Sequence, residues 1–414
     1  MRRIIASIDI GTNSIKIVVA EIVNNKVKVL AASDTPSLGM KKGLIVNSEE
    51  VISTLKKGLK KCEDILGLKI TKAVVSVPSY DAQFALGEGT STVTNPERRV
   101  GGVDIVMAIN SSVYNKVFGD RELVSAIPTA FKLDNEKLVK NPKGLNTVKL
   151  SVQTIISSIP KKNVYSILNV LDKCGIKVVD IYLSGMGDYE IHKTNKTEES
   201  VGAIVNLGSE TTTVSIFNKG VLTNTEVTPL GGNNIDNDFC FIYKIEKKDA
   251  KKLREKLALS HKRLADASEV ETVINKLGEK IKINQYEVSE IMASRLNEIL
   301  ELAKKQINLL TKKEISYIIF TGGLTEAKDF PLILESVYGH NVSIGVVNEL
   351  GIRDNKYSTC IGMIKCFYDF LKIKDKEFSI FNSEELEELA SANKRLNLSE
   401  NSMLGKVFGY FFDN

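Results

Sequence analysis

Short apolar runs separated by glycine and asparagine turns open the chain. Residues 4–10 are largely apolar, residues 11–14 form a polar turn that begins with glycine, and Ile15, Ile17 and Val19 then alternate with other residues. Alternation with a period of two is typical of a strand, and a short glycine turn between two strands is typical of a hairpin. A turn at Asn24 and Asn25 precedes another strand-like run. The pattern predicts three successive strands joined by a glycine turn and an asparagine turn.

The same pattern returns in the middle of the chain. Residues 202–220 (GAIVNLGSETTTVSIFNKG) contain an apolar run, a polar turn that begins at Gly208, the alternating Val214 and Ile216, and a final turn at Asn218. Self-similarity at this large separation predicts two related halves rather than a solenoid. Because the N–H groups of a hairpin turn can form an anion-binding nest, two facing hairpins could hold a phosphate chain from both sides.

A third strand-like run ends in two adjacent glycines. Residues 315–323 (ISYIIFTGG) finish with Thr321, Gly322 and Gly323, and a helix-like segment begins near Thr325. Adjacent glycines let a flat or bulky ligand approach the backbone without clashing with a Cβ atom. The first glycine turn fits neither the dinucleotide-binding nor the P-loop pattern, because both of those open a helix. A hairpin cradle for phosphates is therefore the sharper hypothesis.

Composition and charge exclude several classes of protein. The 414 residues predict two or more domains, and 43% hydrophobic with 26% charged residues indicates an ordinary globular protein. The net charge of +5 comes from 56 basic and 51 acidic residues spread along the chain, so nucleic acid is not predicted as a partner. Five cysteines without CxxC pairs indicate reduced thiols rather than a zinc site, and the three histidines have no metal or catalytic spacing. No apolar run predicts a signal peptide or a membrane span.

Two other segments have the periodicity of amphipathic helices. Residues 286–310 predict a long helix and residues 103–118 a shorter one. The apolar face of the long helix consists of Val288, Met292, Leu296, Ile299, Ala303, Ile307 and Leu310. The apolar face of the shorter helix consists of Val103, Val106, Met107, Val113, Tyr114 and Val117.

The C-terminal end combines a polar segment with an amphipathic one. Residues 383–398 are polar and charged, which predicts a linker that can be partly helical, and residues 399–414 predict a short helix with Lys406 as its only cation. The apolar side of that helix consists of Met403, Leu404, Val407, Phe408, Phe411 and Phe412. Such a helix either docks back on the core or lies in a lipid interface, and its aromatic content after a polar linker favours the membrane.

Five further segments resemble the FtsA family, the bacterial actin homologues that link the FtsZ division ring to the membrane. The resemblance covers nearly the whole chain. It implies an α/β, actin-like (ribonuclease H-like) two-domain ATPase fold with an FtsA-type insertion subdomain, within the superfamily of actin, heat-shock proteins and sugar kinases. The segments are residues 73–78 (AVVSVP), 140–145 (KNPKGL), 174–177 (CGIK), 228–233 (TPLGGN) and 357–362 (YSTCIG).

The resemblance also implies a division of the chain. Residues 1–79, 161–199 and 355–382 are expected to form the first actin-like subdomain, and residues 200–354 the second half with its helical subdomain. Residues 80–160 are expected to form the insertion subdomain that contacts a neighbouring protomer in a filament. A solvated side domain without a partner remains the alternative for this insertion.

Ligand roles follow from the resemblance residue by residue. Asp9 is expected to hold magnesium through water, and the two hairpins are expected to meet the phosphates of ATP from opposite sides. A glycine-rich segment, a basic residue and the third strand end are expected to border ribose and adenine. The nucleotide-binding residues implied in this way are Asp9, Gly11, Thr12, Asn13, Ser14, Asn206, Gly208, Ser209, Glu210, Thr211, Gly231, Gly232, Asn233, Arg254, Thr321, Gly322 and Gly323.

This chain departs from the family pattern at three positions. Asn206 stands where relatives have aspartate, and an amide cannot accept a proton at neutral pH. Glu210 adds a negative charge near the expected phosphates, and Lys251 replaces an acidic residue near the ribose, where Arg254 keeps the basic position. ATP binding with slow or no hydrolysis is therefore expected, and no catalytic residue is assigned.

Function is expected to follow the family. The resemblance implies a cell division protein that binds ATP, polymerises as an actin-like filament and tethers the FtsZ ring to the cytoplasmic face of the cell membrane at the division site. Arg295 is expected to help hold the C-terminal tail of FtsZ, since a guanidinium can bond a carboxylate with two parallel donors. Other divisome proteins are further expected partners. A pilus-assembly-type ATP-binding adaptor and a small-molecule kinase of the same superfamily remain alternatives.

Overall fold

The computed structural model of the chain describes residues 2–339 and 341–396. The predicted tail helix over residues 399–414, and with it the six apolar residues assigned to the membrane, lies outside the described residues. The elements below are numbered in chain order.

A five-stranded sheet with order β11-β6-β1-β2-β3 forms the first half. Strands β1 and β2 pair as an antiparallel hairpin, and β6 runs parallel to β1. Helix α1 begins after Asn47, whose side chain accepts hydrogen bonds from two backbone N–H groups of the first turn, and it ends at Gly67 in the left-handed conformation. The elements are β1 (Arg3–Ile10), β2 (Ser14–Val23), β3 (Lys26–Pro36), β4 (Met40–Lys41), β5 (Leu44–Ile45), α1 (Ser48–Leu66) and β6 (Lys72–Val77).

The insertion after β6 is a four-stranded sheet with one helix on it. Its strand order is β7-β10-β8-β9, and all of its pairs are antiparallel. The elements are β7 (Gln83–Thr92), α2 (Gly102–Val113), β8 (Arg121–Lys132), β9 (Leu138–Val139) and β10 (Lys149–Pro160).

The apolar face named on the short helix of the insertion is not the face that packs on the sheet. Val103 and Met107 of α2, and Tyr114 just beyond it, are exposed by 66%, 55% and 78%, whereas Ile105 and Ala108 are buried. Helix α2 ends at Val113, before the predicted limit. It lies directly on β7, because a Cβ atom on Gly89 would be only 2.1 Å from the carbonyl oxygen of Ala108. The side of α2 with Ala108 and Ser112 therefore lies against the strand, and Ile105 and Ile109 are buried in the core of the insertion.

The chain then returns to the first half before it enters the second. Strand β11 completes the first sheet parallel to β6, and α4 leads away from its end. The elements are α3 (Lys161–Asp172), β11 (Lys177–Leu183), α4 (Ser184–His192) and α5 (Asn195–Glu199).

The second half repeats the plan of the first. Its sheet has the order β14-β13-β12-β17-β18; β12 and β13 pair as an antiparallel hairpin, and β17 runs parallel to β12 as β6 does to β1. The long helix predicted over residues 286–310 is confirmed as α8. The elements are β12 (Val201–Leu207), β13 (Thr212–Asn218), β14 (Val221–Thr228), α6 (Gly232–Tyr243), α7 (Lys247–Lys256), β15 (Val270–Ile274), β16 (Lys280–Asn284), α8 (Gln285–Leu310), β17 (Tyr317–Thr321), α9 (Phe330–Tyr338) and β18 (Val342–Ile344).

Two last helices, α10 (Ser358–Ile373) and α11 (Ser383–Leu396), bring the chain back to the first half. Leu386 and Leu389 of α11 are buried in the hydrophobic core that includes α1 and α3. The prediction of a linker over residues 383–398 is therefore corrected for its first part, since apolar burial holds α11 against the first half. No helix in the described ranges is long and apolar enough to cross a membrane.

Candidate functional site

The two glycine hairpins face each other across a cavity of about 370 Å³ between the two sheets. Glu210, Gly231 and Thr321 belong to the same loops but do not line this cavity, and Arg295 lies apart from it on α8. The remaining predicted nucleotide-binding residues all line it: Asp9, Gly11, Thr12, Asn13, Ser14, Asn206, Gly208, Ser209, Thr211, Gly232, Asn233, Arg254, Gly322 and Gly323.

Both hairpin turns have the same backbone geometry. The N–H of Gly11 donates to the carbonyl oxygen of Ser14 over 3.1 Å, and the N–H of Gly208 donates to that of Thr211 over 2.9 Å. In each turn, a Cβ atom on the glycine would be 2.9 Å from the carbonyl oxygen that closes the turn. Glycine is required at both positions because a side chain would push against backbone.

The hairpins also offer the same donors. Within the described residues, the backbone N–H groups of Thr12 and Asn13 in the first turn, and of Ser209 and Glu210 in the second, have no hydrogen-bond acceptor. Successive N–H groups of this kind form a concave site for an anion. The two turns therefore present matching anion-binding backbones on opposite sides of the cavity.

Charged side chains stand behind the first hairpin. Asp9 is the second-last residue of β1, where it accepts a hydrogen bond from the Ser76 hydroxyl over 2.7 Å and lies 3.6 Å from the ammonium group of Lys16. Sequence reasoning missed Lys16, which also lines the cavity. Its signal is the register of the hairpin, because Lys16 pairs directly with Asp9 across the two strands. The first hairpin thus carries an acidic and a basic group side by side.

Two buried polar atoms at this end lack a protein partner in the described part of the chain. They are Oδ1 of Asp34 and the hydroxyl of Ser79, and both residues line the cavity. Burial opposes ionisation of Asp34, but hydrogen bonds from Ser14 and Lys356 outweigh that effect and lower its pKa. Buried polar atoms are normally satisfied. The walls of the cavity therefore suit a polar, hydrogen-bonding ligand.

A buried carboxylate stands behind the second hairpin. The side-chain amide of Asn206 donates from Nδ2 to Oδ2 of Asp188 over 2.6 Å, and the Thr359 hydroxyl donates to Oδ1 over 2.9 Å. Asp188 is fully buried. Burial raises the pKa of Asp188 to about 6, although the hydrogen bonds from Asn206, Thr359 and Ser358 favour the charged form. Sequence reasoning missed Asp188, which has no local motif.

Glu210 does not point at the expected phosphates. Its carboxylate accepts hydrogen bonds from the backbone N–H of Lys42 over 2.7 Å and from the side-chain amide of Asn233 over 3.1 Å. Lys42 and Gly43 form the turn between β4 and β5, and the N–H of Gly43 donates to the Thr12 hydroxyl over 2.8 Å. This small β4–β5 hairpin therefore contacts both glycine hairpins, and Glu210 holds it on the second half.

The opposite end of the cavity has a wall with both signs of charge and a glycine floor; Glu255 of α7 lines it, with Oε1 3.8 Å from Nζ of Lys251. Lys251 and Arg254 of α7 line it, and Arg254 donates from Nε to the buried carboxylate of Asp236 over 2.6 Å. Gly322 has φ +95°, and a Cβ atom there would be 2.6 Å from Oδ1 of Asn206. Only glycine fits that position, because the conformation is left-handed and the space is filled.

Arg295 is fully engaged within the chain. Its guanidinium donates to both carboxylate oxygens of Asp238, over 2.7 and 2.9 Å, and also to Glu298. A carboxylate of a bound peptide would therefore compete with two acidic neighbours of the same surface.

Metal ligation is sparse in the residues that the structure describes. No group of three or more His, Cys, Asp or Glu side chains there is placed to bind a metal ion. Asp9 is the carboxylate of the first hairpin that lines the cavity, and one such ligand suits an ion that takes most of its ligands from water and phosphate, as magnesium does.

Two family models match the chain. One, described as cell division protein FtsA, matches residues 203–362, and the other, described as the SHS2 domain inserted in FtsA, matches residues 84–158. The second range covers the strands and the helix of the insertion. The cell division protein FtsA of Bacillus subtilis strain 168 is 25% identical over 388 residues, which is 93% of this chain and 88% of that protein.

Solved structures show the fold. A PilM–PilN type IV pilus biogenesis complex has a TM-score of 0.58 at 12% identity, and MreB5 of Spiroplasma citri bound to ADP has a TM-score of 0.55 at 13% identity. Each match covers 90% of this chain and 99% of the other. The expected actin-like α/β fold with an FtsA-type insertion is confirmed. The chain belongs to the FtsA family of cell division proteins.

Proposed function

We propose that this protein binds ATP with magnesium between its two glycine hairpins and, as an actin-like filament, tethers the FtsZ ring to the inner face of the cytoplasmic membrane. Support comes from membership of the FtsA family and from the fold shared with MreB5 of Spiroplasma citri, which was solved bound to ADP. The observation that carries nucleotide binding is the pair of identical hairpin turns with free N–H groups on opposite sides of one cavity.

Each wall of the cavity is expected to bind a different part of the magnesium nucleotide. The N–H groups of the two turns bind phosphate oxygens, and Lys16 adds a positive charge on the same side. Asp9 holds magnesium through water, and the ion neutralises phosphate charge when bound. Lys251, Arg254 and the glycines at 322 and 323 border the ribose and adenine.

The same residues do little to activate water. Asn206 offers an amide where a general base would stand, and Asp188 behind it does not line the cavity. Asp9, Asp34 and Glu255 line the cavity, but each already has a basic partner: Lys16 for Asp9, Lys356 for Asp34, and Lys251 with Arg254 for Glu255. Hydrolysis is therefore slow or absent, and nucleotide controls assembly more than turnover.

Membrane attachment rests on the sequence of the tail. Six apolar side chains over residues 403–412 supply about 1.5–3 kcal/mol each before the cost of ordering the segment, so one tail binds weakly. A filament presents many tails at once, and multivalency raises the overall affinity. With Lys406 as the only cation of that helix, apolar burial is expected to dominate over attraction to anionic lipid.

Vesicle co-sedimentation tests the membrane part of the proposal. The full chain should sediment with phospholipid vesicles, and a truncation after residue 398 should remain in the supernatant. Phe408→Glu is the point variant that should behave like the truncation, and Phe118→Glu, a change at an exposed phenylalanine of the insertion, is its matched control. Equal sedimentation of the full chain and the truncation would contradict the tether.

The FtsZ contact has its own test. Arg295→Glu should weaken binding of an FtsZ C-terminal peptide about tenfold or more, because it replaces the guanidinium by a third carboxylate beside Asp238 and Glu298. Arg263→Glu, an exposed arginine between α7 and β15, is the matched charge reversal. Unchanged peptide affinity in Arg295→Glu would remove this residue from the partner site.

A pilus-assembly adaptor is the second candidate function. The observation that favours it is the structural likeness to the PilM–PilN complex over 90% of this chain. That candidate gives the tail no membrane role, so the vesicle experiment also separates the two functions.

A further inference from the structure

Helices α4 and α10 cross at direct backbone contact beneath the cavity. A Cβ atom on Gly362 would be 1.8 Å from the carbonyl oxygen of Gly187, and one on Gly187 would be 2.5 Å from that of Thr359. Only glycines allow two helices to approach so closely. The crossing places Asp188, the residue after Gly187, against the first turn of α10.

Asp188 connects three elements from this position. Its carboxylate belongs to α4, the Thr359 hydroxyl that it binds belongs to α10, and the Asn206 amide belongs to β12 of the second half. Asn206 and Thr359 both line the cavity, whereas Asp188 does not. The carboxylate therefore acts on the cavity only through these two neighbours.

The hydrogen bond fixes which end of the Asn206 amide faces the cavity. An ionised carboxylate only accepts, so it selects the NH₂ end of the amide, and Oδ1 must point the other way. Consistent with this, Oδ1 of Asn206 lies on the side of Gly322, at 2.6 Å from the place where a Cβ atom of that residue would be. A neutral partner at position 188 would leave both orientations of the amide open.

We propose that Asp188 is a positioning residue that holds Asn206 with its amide oxygen towards the bound magnesium nucleotide. The second hairpin then presents the neutral amide oxygen of Asn206 to the cavity, and the negative charge lies on Asp188, outside the cavity lining. This arrangement keeps an oxygen available to the ligand while it moves the negative charge away from the phosphates. The inference rests on the proposed nucleotide binding.

Isothermal titration of the full chain with ATP, and separately with ADP, in the presence of magnesium chloride tests the inference. Asp188→Asn should raise the Kd about tenfold, because two facing amides no longer fix the orientation of Asn206. Asp180→Asn is the control, since Asp180 is a half-buried carboxylate of β11 that accepts a hydrogen bond from the Tyr182 hydroxyl and does not line the cavity. The control should leave the Kd within about twofold.

An exchange of the two side chains distinguishes positioning from a general loss of stability. In the double variant Asp188→Asn with Asn206→Asp, the amide donates in the reverse direction and the hairpin again presents an oxygen. The Kd should return to within about threefold of the natural protein. A double variant that binds no better than Asp188→Asn alone overturns the inference, and so does an Asp188→Asn Kd equal to that of the control.

Thr359→Val keeps the inference testable if Asp188→Asn does not fold. It removes one donor to the carboxylate but leaves the Asn206 contact, so the Kd should rise about threefold. An unchanged Kd would count against the inference. If the natural protein binds neither ATP nor ADP, the proposed function fails and the inference with it; if it binds both and these variants are silent, the inference alone fails.

Discussion

The two glycine hairpins have the same backbone arrangement but differ in their side chains. Both turns are closed by the same glycine hydrogen bond, and both leave two N–H groups free within the described structure. The first hairpin ends in Asp9, paired across the strands with Lys16, whereas the second ends in Asn206, paired with Thr213. One hairpin therefore carries two charges and the other carries none at the corresponding pair.

The difference shows that two hairpins of the same backbone plan can have different roles in one site. In the proposed function, the backbone donors of the two turns bind phosphate alike, so the repeat itself would provide symmetric binding. Charge is placed on one side only, and on the other side it is withdrawn to Asp188, which accepts from Asn206 over 2.6 Å. The first hairpin is suited to hold the cation and the charged phosphates, and the second to fix their position.

Loss of the acidic group on the first hairpin should have the largest effect. Asp9→Ala should weaken magnesium-ATP binding about 100-fold, which corresponds to roughly 2.7 kcal/mol, because the proposed magnesium site loses the carboxylate that the first hairpin contributes to the cavity. Titration calorimetry measures it. Asp64→Ala, an exposed carboxylate of α1 paired with Lys60, should leave the affinity unchanged. Equal affinity in both variants would break the comparison between the hairpins.

Loss of the basic group of the first hairpin, Lys16, should have the second-largest effect on ATP affinity. Lys16→Met should weaken ATP binding about tenfold, and Thr213→Val at the equivalent place on the second hairpin should change it less than twofold. Competition with a fluorescent ATP analogue measures both values. Lys26→Met, at an exposed lysine of β3, is the control for loss of a positive charge. A Thr213 effect as large as the Lys16 effect would show that the second hairpin also depends on its side chains.

Changes to the turns themselves should affect the two hairpins alike. Gly11→Ala and Gly208→Ala should each lower the free energy of unfolding by about 1 kcal/mol, because each Cβ atom would be 2.9 Å from a backbone oxygen. Urea unfolding monitored by circular dichroism measures this. Gly101→Ala, where the nearest atom is a side-chain oxygen at 3.7 Å, should have little effect. Strongly unequal losses would contradict the structural equivalence of the turns.

The smallest effect is expected at the contact between the second glycine hairpin and the β4–β5 hairpin. Glu210→Ala should increase hydrogen exchange at the amide of Lys42 about tenfold with little change in overall stability, because that N–H loses its acceptor. Hydrogen–deuterium exchange of a peptide over residues 40–45 measures it. Glu226→Ala, at an exposed carboxylate of β14, should leave this peptide unchanged. Unaltered protection in Glu210→Ala would mean that Thr12 and Tyr80 hold the β4–β5 hairpin alone.

Much of the site could be predicted from local patterns. The glycine turns, the strands around them and the position of Asp9 are encoded within a few residues, since strand period and turn length fix which side chains face each other. Lys16 could have been found from the same register. Patterns of this kind also carried the resemblance to the FtsA family.

Other parts depended on contacts that no local pattern encodes. The apolar face named on α2 does not pack on the sheet, because the glycines of β7 bring the side of the helix with Ala108 and Ser112 against the strand. The high charge of residues 383–398 predicted a linker, although Leu386 and Leu389 of that segment pack in the hydrophobic core of the first half. Glu210 was expected to disturb the phosphates, and only the folded chain shows Lys42 and Asn233 as its partners.

The sequence alone determined that two glycine hairpins exist and that one of them lacks its carboxylate. Tertiary structure decided what stands behind each hairpin. Asp188 reaches Asn206 and Thr359, which are 18 and 171 positions away, because two glycines let α4 and α10 cross at backbone contact. Hydrogen bonds between distant residues depend on how whole elements pack, and a linear pattern carries no measure of that distance.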